Sequence, residues 1–263
     1  ACRRAANGAE FMQRIQRETG LKLDIIKPEE EAQLAVISCA PLVNRKTHNL
    51  LVVDIGGGST ELVWIDISKV PKADRAQSIM RLHGGFHQAK TDVPAARVVD
   101  WISVPLGVAT LRDQFSDVED DAARFALMSW FFEENLTDFT PYQSIQSQDH
   151  FQIVGTSGTV TTVAASHLGL KRYDRTKVDG LRMTSAQIDK VIHSYLAMGP
   201  GGRRADPRIG LDRQALIMSG AAILQALMRC WPTDRLSVAD RGLREGLLYA
   251  QMSADGVLEE GLG

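Results

Sequence analysis

Asp54-Ile55-Gly56-Gly57-Gly58-Ser59-Thr60-Glu61 places two carboxylates on either side of three consecutive glycines. Glycine permits positive φ angles and removes every Cβ from one edge of a turn. Successive backbone N–H groups can then converge on an anion. Asp54 closes the apolar run Leu50-Leu51-Val52-Val53, and a carboxylate at such a strand end can hold a hydrated Mg²⁺ or a nucleophilic water. Glu61 follows just beyond the turn, so both carboxylates can face one pocket. A plain hairpin needs only two residues of the Asn-Gly kind, which leaves the longer glycine run to be explained by ligand binding.

A second loop, Val154-Gly155-Thr156-Ser157-Gly158-Thr159-Val160, joins an apolar strand to a helix through small residues. A helix N-terminus carries unpaired N–H groups and the positive end of the dipole, which suits an anion. Alone this signal is common in α/β chains; beside the triple-glycine turn it suggests two phosphate loops on one cleft. Glu29-Glu30-Glu31-Ala32 follows Pro28 and opens a helix. Negative charge there complements the dipole, and that suffices for two of the three glutamates. The basic run Arg203, Arg204, Arg208 reads first as a solvated loop, and second as a guide for a polyanion approaching the cleft.

These residues need a scaffold. Gly8 to Thr19 has helical spacing and Gly20 stops it. Leu21 to Ile26 alternates and reads as a strand, and a helix follows from Pro28 to about Cys39. Leu50–Asp54 and Glu61–Ile65 are the strands of the glycine hairpin. Lys69 to Ala96 is expected to include an exposed hairpin, with a third strand over Val98–Val104 and a helix over Leu106–Phe115. Asp117 to Leu136 forms a long amphipathic helix whose Phe125, Met128, Phe131 and Phe132 make a core stripe. Phe151–Val154 is a strand leading to a helix that ends near His167. Gly199 to Gly210 reads as a linker before an apolar helix from Arg213 to Cys230. Leu236–Val238 and Gly242–Met252 supply a last strand and helix. Alternating strands and helices make the class α/β.

Composition narrows the partners. The 263 residues are 44% hydrophobic and 24% charged, with a formal net charge of −2. That balance lacks the basic surplus of a general DNA binder. No run of about 18 apolar residues suggests a membrane span, and no signal peptide is evident, so a cytoplasmic location is expected. Cys2, Cys39 and Cys230 are scattered, and the six histidines show no metal-ligand spacing. Idle thiols in a reducing compartment are expected.

The Asp54–Glu61 segment, the triple glutamate with Ala32, Ser103-Val-Pro-Leu-Gly-Val-Ala-Thr-Leu111, the loop Gly155–Thr159 and Gly242-Leu-Arg-Glu-Gly-Leu-Leu248 are all present. Together they resemble the motif series of the exopolyphosphatase / guanosine pentaphosphate phosphohydrolase family, in that family's order and across essentially the whole chain. Arg3-Arg4-Ala5-Ala6-Asn7-Gly8 is similar to that family's Arg-x-Ala-x-Asn segment. The resemblance implies ribonuclease-H-like α/β domains of the acetate kinase, sugar kinase, Hsp70 and actin superfamily, with a mixed sheet flanked by helices. On that basis residues 1–40 are expected to be the end of a first domain. Residues 41–263 would form the second, with a C-terminal helix returning toward the first.

The resemblance further implies Mg²⁺-dependent hydrolysis of the terminal phosphoanhydride of polyphosphate or guanosine pentaphosphate, with K⁺ as an additional activating cation and a homodimer as the assembly. Glu31 matches the general base, and Asp54 and Glu61 match an acidic pair that binds metal and assists catalysis. Gly56, Gly57, Gly58, Ser59 and Thr60 match one phosphate loop; Gly155, Ser157, Gly158 and Thr159 match another; Arg3 matches an arginine facing the polyanion. Two features depart from the family pattern. Its first phosphate loop, of the Asp-x-Gly-Ser-Asn-Ser type, is absent, so the chain is expected to be truncated at its N-terminus and inactive alone. Lys27-Pro28 stands where Ser-Gly is frequent. Nothing after Met252 resembles the extension of the family's longer members, so the short form is expected. Two other readings are a kinase or ATPase of the same superfold, and a regulator that binds guanosine pentaphosphate or tetraphosphate without turnover.

Overall fold

A computed structural model describes residues 5–86, 94–143 and 150–257. Two helices come first, α1 (Gly8–Thr19) and α2 (Pro28–Cys39), followed by strands β1 (Asn49–Ile55) and β2 (Thr60–Asp66). Next come α3 (Arg75–Met80), β3 (Arg97–Val104), α4 (Val108–Gln114), α5 (Asp121–Glu134) and β4 (Phe151–Thr156). The chain continues through α6 (Gly158–His167), α7 (Arg175–Val178), β5 (Arg182–Met183) and α8 (Ser185–Ala205). It closes with α9 (Ile217–Cys230), β6 (Leu236–Ala239) and α10 (Leu243–Ala254).

The six strands form one mixed sheet in the order β3-β2-β1-β4-β6-β5. β1 is antiparallel to β2 and parallel to β4, and β4 is parallel to β6. The carboxyl ends of β1, β4 and β6 therefore lie on the same edge, and their loops share it. Such an edge is where open α/β sheets bind ligands.

β1 is apolar on both sides because both faces of the sheet are covered. Leu51 and Val53 pack into a core with α5, α6, α8 and α9. Leu50 and Val52 enter a second core with Ala32, Val36 and Cys39 of α2. α10 lies on α2 at very short range: a Cβ on Gly246 would stand 2.1 Å from the Leu34 carbonyl oxygen. Burial pushes the Cys39 and Cys230 thiols up to about 12, which leaves both inert.

Several expected elements differ. Leu21–Ile26 forms no strand; its alternating Leu21, Leu23 and Ile25 stay exposed, and among the described residues no neighbouring strand pairs with them. From Lys69 to Phe86 the chain forms α3 and a 3₁₀ turn over Arg81–Gly84 and no hairpin, with Ile79 and Leu82 closing the second core; residues 87–93 of the stretch expected to include an exposed hairpin lie outside the described residues. The anticipated linker from Gly199 is largely helical. α8 kinks where Gly199 adopts φ 64° ahead of Pro200 and then continues to Ala205, because buried Arg203 ties its last turn to α5. The long helix begins at Asp121 rather than Asp117, since Asp120 caps it by accepting from the Ala123 N–H at 2.7 Å.

Candidate active site

Asp54 stands directly opposite Glu61 in the β1–β2 ladder, so the two side chains rise from one face of the sheet as close neighbours. Glu61 is 2% exposed, and its Oε1 accepts from the Ser103 hydroxyl of β3 at 2.8 Å. Glu31 approaches from the first turn of α2, which Pro28 opens. Asp54 is half-buried, and its carboxyl is pushed up to about 7, first by burial and then by the negative charges of Glu61 and Glu31. The three carboxylates thus form one electrostatic unit. Glu30 points to solvent, and Glu29 accepts from Gln33 at 3.5 Å.

The glycine turn is small for reasons other than left-handed backbone. None of Gly56, Gly57 and Gly58 has a positive φ. Two of their carbonyls instead cap a helix: Gly56 O accepts from the Val108 N–H and Gly57 O from the Ala109 N–H, each at 2.9 Å. Gly107 must be glycine for this contact, since a Cβ there would lie 2.5 Å from Gly56 O. Planar peptides that turn these carbonyls onto α4 turn the N–H groups of Gly57 and Gly58 the opposite way. A Cβ on either residue would meet nothing within 4 Å. Ser59 is half-buried in the same turn. Thr60 belongs to the fold: its buried hydroxyl donates to the Leu106 carbonyl at 2.8 Å.

In the second loop the expected residues divide likewise. Gly155 lies inside β4, paired with Val53 and Val238. Thr159 is buried against Gly220 of α9. Ser157 and Gly158 reach the surface of the cleft. Ser157 has φ 156°, a region costly for any residue with a side chain, and its Oγ accepts from the Thr159 and Val160 N–H groups, both at 3.1 Å. Gly158 carries the Arg213 guanidinium, whose Cζ would be 2.0 Å from a Cβ there. Arg3 lies outside the described residues, as does Cys2.

Beside this loop opens a cavity of about 680 Å³, walled by Thr156 to Gly158, Asp240 to Glu245, and the segment from Pro207 to Arg213. Five arginines line it: Arg175, Arg208, Arg213, Arg241 and Arg244. Asp179 holds Arg241, Asp206 holds Arg208, and Asp240 and Glu245 lie within reach of Arg175. Arg213 makes no ion pair among the described residues. Sequence reasoning named Ser157, Gly158, Arg208 and the Gly242–Leu248 motif of this wall but missed Arg175, Arg213 and Arg241. The signals for the wall were Gly242-Leu-Arg244-Glu and the Leu211-Asp-Arg213 step before an apolar helix. Of the anticipated basic loop, Arg203 is 5% exposed, donating to the Tyr195 carbonyl at 2.8 Å and to Asp121 at 2.7 Å. It is neither solvated nor a guide.

The donor set suits a hard cation. Asp54 and Glu61 offer only oxygen, and their mutual repulsion is relieved by positive charge. Among the described residues no group of three or more His, Cys, Asp or Glu forms a ready-made metal cage. No helix among the described residues is long and apolar enough to cross a membrane.

A profile of the Ppx/GppA phosphatase family matches residues 1–255. Exopolyphosphatase 1 of Mycobacterium leprae is 23% identical over 262 residues, covering 97% of this chain and 67% of that protein. A guanosine-5'-triphosphate,3'-diphosphate pyrophosphatase of Aeromonas salmonicida is 26% identical over 252 residues, covering 94% of this chain and 42% of its own length. The crystal structure of the Aquifex aeolicus Ppx/GppA family member superposes with a TM-score of 0.70 at 28% identity, covering 97% of this chain and 72% of that one. This chain therefore spans about two thirds of the first relative and less than half of the second. The fold is the ribonuclease-H-like fold of the actin superfamily, and the chain belongs to the Ppx/GppA phosphatase family.

Proposed function

We propose that this Ppx/GppA family member hydrolyses the terminal phosphoanhydride bond of inorganic polyphosphate or guanosine pentaphosphate and releases orthophosphate. The observation that carries this reading is the trio Glu31, Asp54 and Glu61 at the carboxyl edge of the sheet, where Asp54 is paired with Thr156 and Thr156 lines the arginine-walled cavity. Catalysis of phosphoryl transfer is chiefly positioning and charge neutralisation, and this edge supplies both.

Glu31 is the general base. It takes a proton from the attacking water as the new P–O bond forms and the anhydride P–O bond breaks. Asp54 and Glu61 would hold Mg²⁺, which when bound neutralises phosphate oxygens and polarises phosphorus. The Ser103 hydroxyl fixes the Glu61 carboxylate, and the glycine turn and Ser157–Gly158 receive phosphate oxygens. Arg213 and the neighbouring arginines balance the charge of the remaining chain. A homodimer and K⁺ activation belong to this proposal on family resemblance alone.

The test is phosphate release by the full-length protein with Mg²⁺, from polyphosphate and guanosine pentaphosphate in parallel. Release from either is expected, with Glu31→Gln lowering kcat by about 10²–10⁴-fold while KM moves little. Asp54→Asn is expected to shift the Mg²⁺ dependence. Tight binding of guanosine pentaphosphate with no phosphate released would instead identify a non-catalytic regulator, and unchanged turnover in Glu31→Gln would remove it as the base.

A further inference from the structure

A second cavity, of about 360 Å³, lies on the other side of the segment that carries Arg213 into the first. Its charged lining is Arg112, Arg124, Arg203, Arg204 and a single carboxylate, Asp121. Asp121 is shared: it accepts from Arg203 at 2.7 Å and from Arg124 at 3.4 Å. Arg112 is engaged by Asp113 at 2.6 Å, on the exposed surface. Arg204 makes no ion pair among the described residues. With Arg112 held by Asp113, Asp121 alone balances Arg124, Arg203 and Arg204, and positive charge is left over.

The backbone adds to this charge. Ala215, Met218 and Ser219 bring the start of α9 to the cavity, and α9 is a 14-residue helix with no side-chain cap at its N-terminus. Its positive dipole end reinforces the arginines. Buried Arg203 is fixed by its bond to the Tyr195 carbonyl, so part of the donor set is preorganised. Planar guanidinium groups suit phosphate oxygens, which they bind in pairs.

We infer that this cavity is a second anion site, separate from the carboxylate trio, that takes a small multiply charged phosphate such as pyrophosphate or the phosphate group of an organic ester. The wall between the two cavities is one chain segment. Leu211 and Gln214 line the second cavity, and Asp212 and Arg213 line the first, within a single turn of chain. Gln214 of that segment donates to the Arg204 carbonyl at 2.9 Å, so an anion drawn onto Arg204 pulls on the segment that holds Arg213 over Gly158, and occupancy of the second site changes the grip of the first.

Isothermal titration of the full-length protein with pyrophosphate, without Mg²⁺, tests the site. A repeat with phosphoserine distinguishes an inorganic from an ester-borne phosphate. Arg204 is solvent-facing at the cavity rim, so Arg204→Glu is expected to fold normally, as circular dichroism will check. Two binding events are expected for the wild type. In Arg204→Glu one is weakened about tenfold or more, the size of a lost charge-assisted bond. Arg213→Ala is expected to weaken the other event. If folded Arg204→Glu and Arg124→Ala both bind pyrophosphate with wild-type stoichiometry and affinity, the site does not exist. A single event lost only in Arg213→Ala overturns it equally. Binding is read without turnover, so the result stands apart from whether the chain is a hydrolase.

Discussion

At the scale of single residues, the carboxylate trio stores repulsion that a cation relieves. Asp54 holds its proton up to about pH 7 in the folded protein, against 3.8 in the unfolded chain. Between those values the native state binds more protons, so this group's contribution lowers stability as pH rises, and the penalty is complete above about pH 7. In EDTA, Asp54→Asn is therefore expected to be more stable than the wild type at pH 8 and little different at pH 4. One pKa unit is worth about 1.4 kcal/mol, which sets a ceiling of about 4 kcal/mol for the gain; partial solvent exposure of Asp54 reduces it. Denaturant midpoints at the two pH values measure it, and an equal difference at both would refute the electrostatic account. The acidic pair was legible in the sequence because Asp54 and Glu61 stand either side of the glycine turn, where a hairpin sets them opposite each other. Arg213 was not legible, because its place depends on Gly158, which lies in a distant part of the chain and touches it only after α6 and α9 have packed.

At the scale of elements, glycine sets how closely neighbours approach. Gly246 brings α10 onto α2 and so fixes the helix that carries Glu31. Gly246→Ala would press a methyl group onto the Leu34 backbone, which cannot swing aside, and is expected to cost about 2–3 kcal/mol. Gly57→Ala meets open space without a positive φ and is expected to cost far less. Urea unfolding of the two variants is the comparison; equal losses would mean that close approach is not what Gly246 provides. Most helices and strands could be read from apolar spacing, including α1, α2, β1 and β4. Leu21–Ile26 shows the limit of such reading. Alternation specifies a strand only where a neighbour accepts its hydrogen bonds, and none stands there among the described residues. The helix continuing past Gly199 was hidden for the converse reason: its Gly-Pro step looks like a break, and its last turn is held by buried Arg203, which bonds Asp121 and the Tyr195 carbonyl.

At the scale of the whole molecule, charge is distributed unevenly despite a formal net charge of −2. The carboxylates cluster at the sheet edge, and arginines wall both cavities. On the proposed function, a polyanionic substrate would be drawn by the arginines toward the carboxylates. Encounter through such a field weakens as salt screens it, over a Debye length of about 10 Å at 0.1 M. KM for polyphosphate is therefore expected to rise several-fold between about 50 and 300 mM KCl while kcat changes little. A salt-independent KM would show that the arginines only brace the fold. This pattern as a whole was hidden at the level of sequence. Arg175, Arg208, Arg213, Arg241 and Arg244 are scattered along the chain and converge only when β4, β6 and the segment before α9 meet.

The bonds from Val108 and Ala109 to the glycine turn have a use beyond holding it. Those two amide protons are bonded to the turn itself and not to a preceding helical turn, so they are released to solvent deuterium whenever the turn lifts from α4. Their exchange, followed by NMR, times the opening of the candidate phosphate loop. It should slow when a phosphate ligand seats there, while the interior amides of α9 keep their pace.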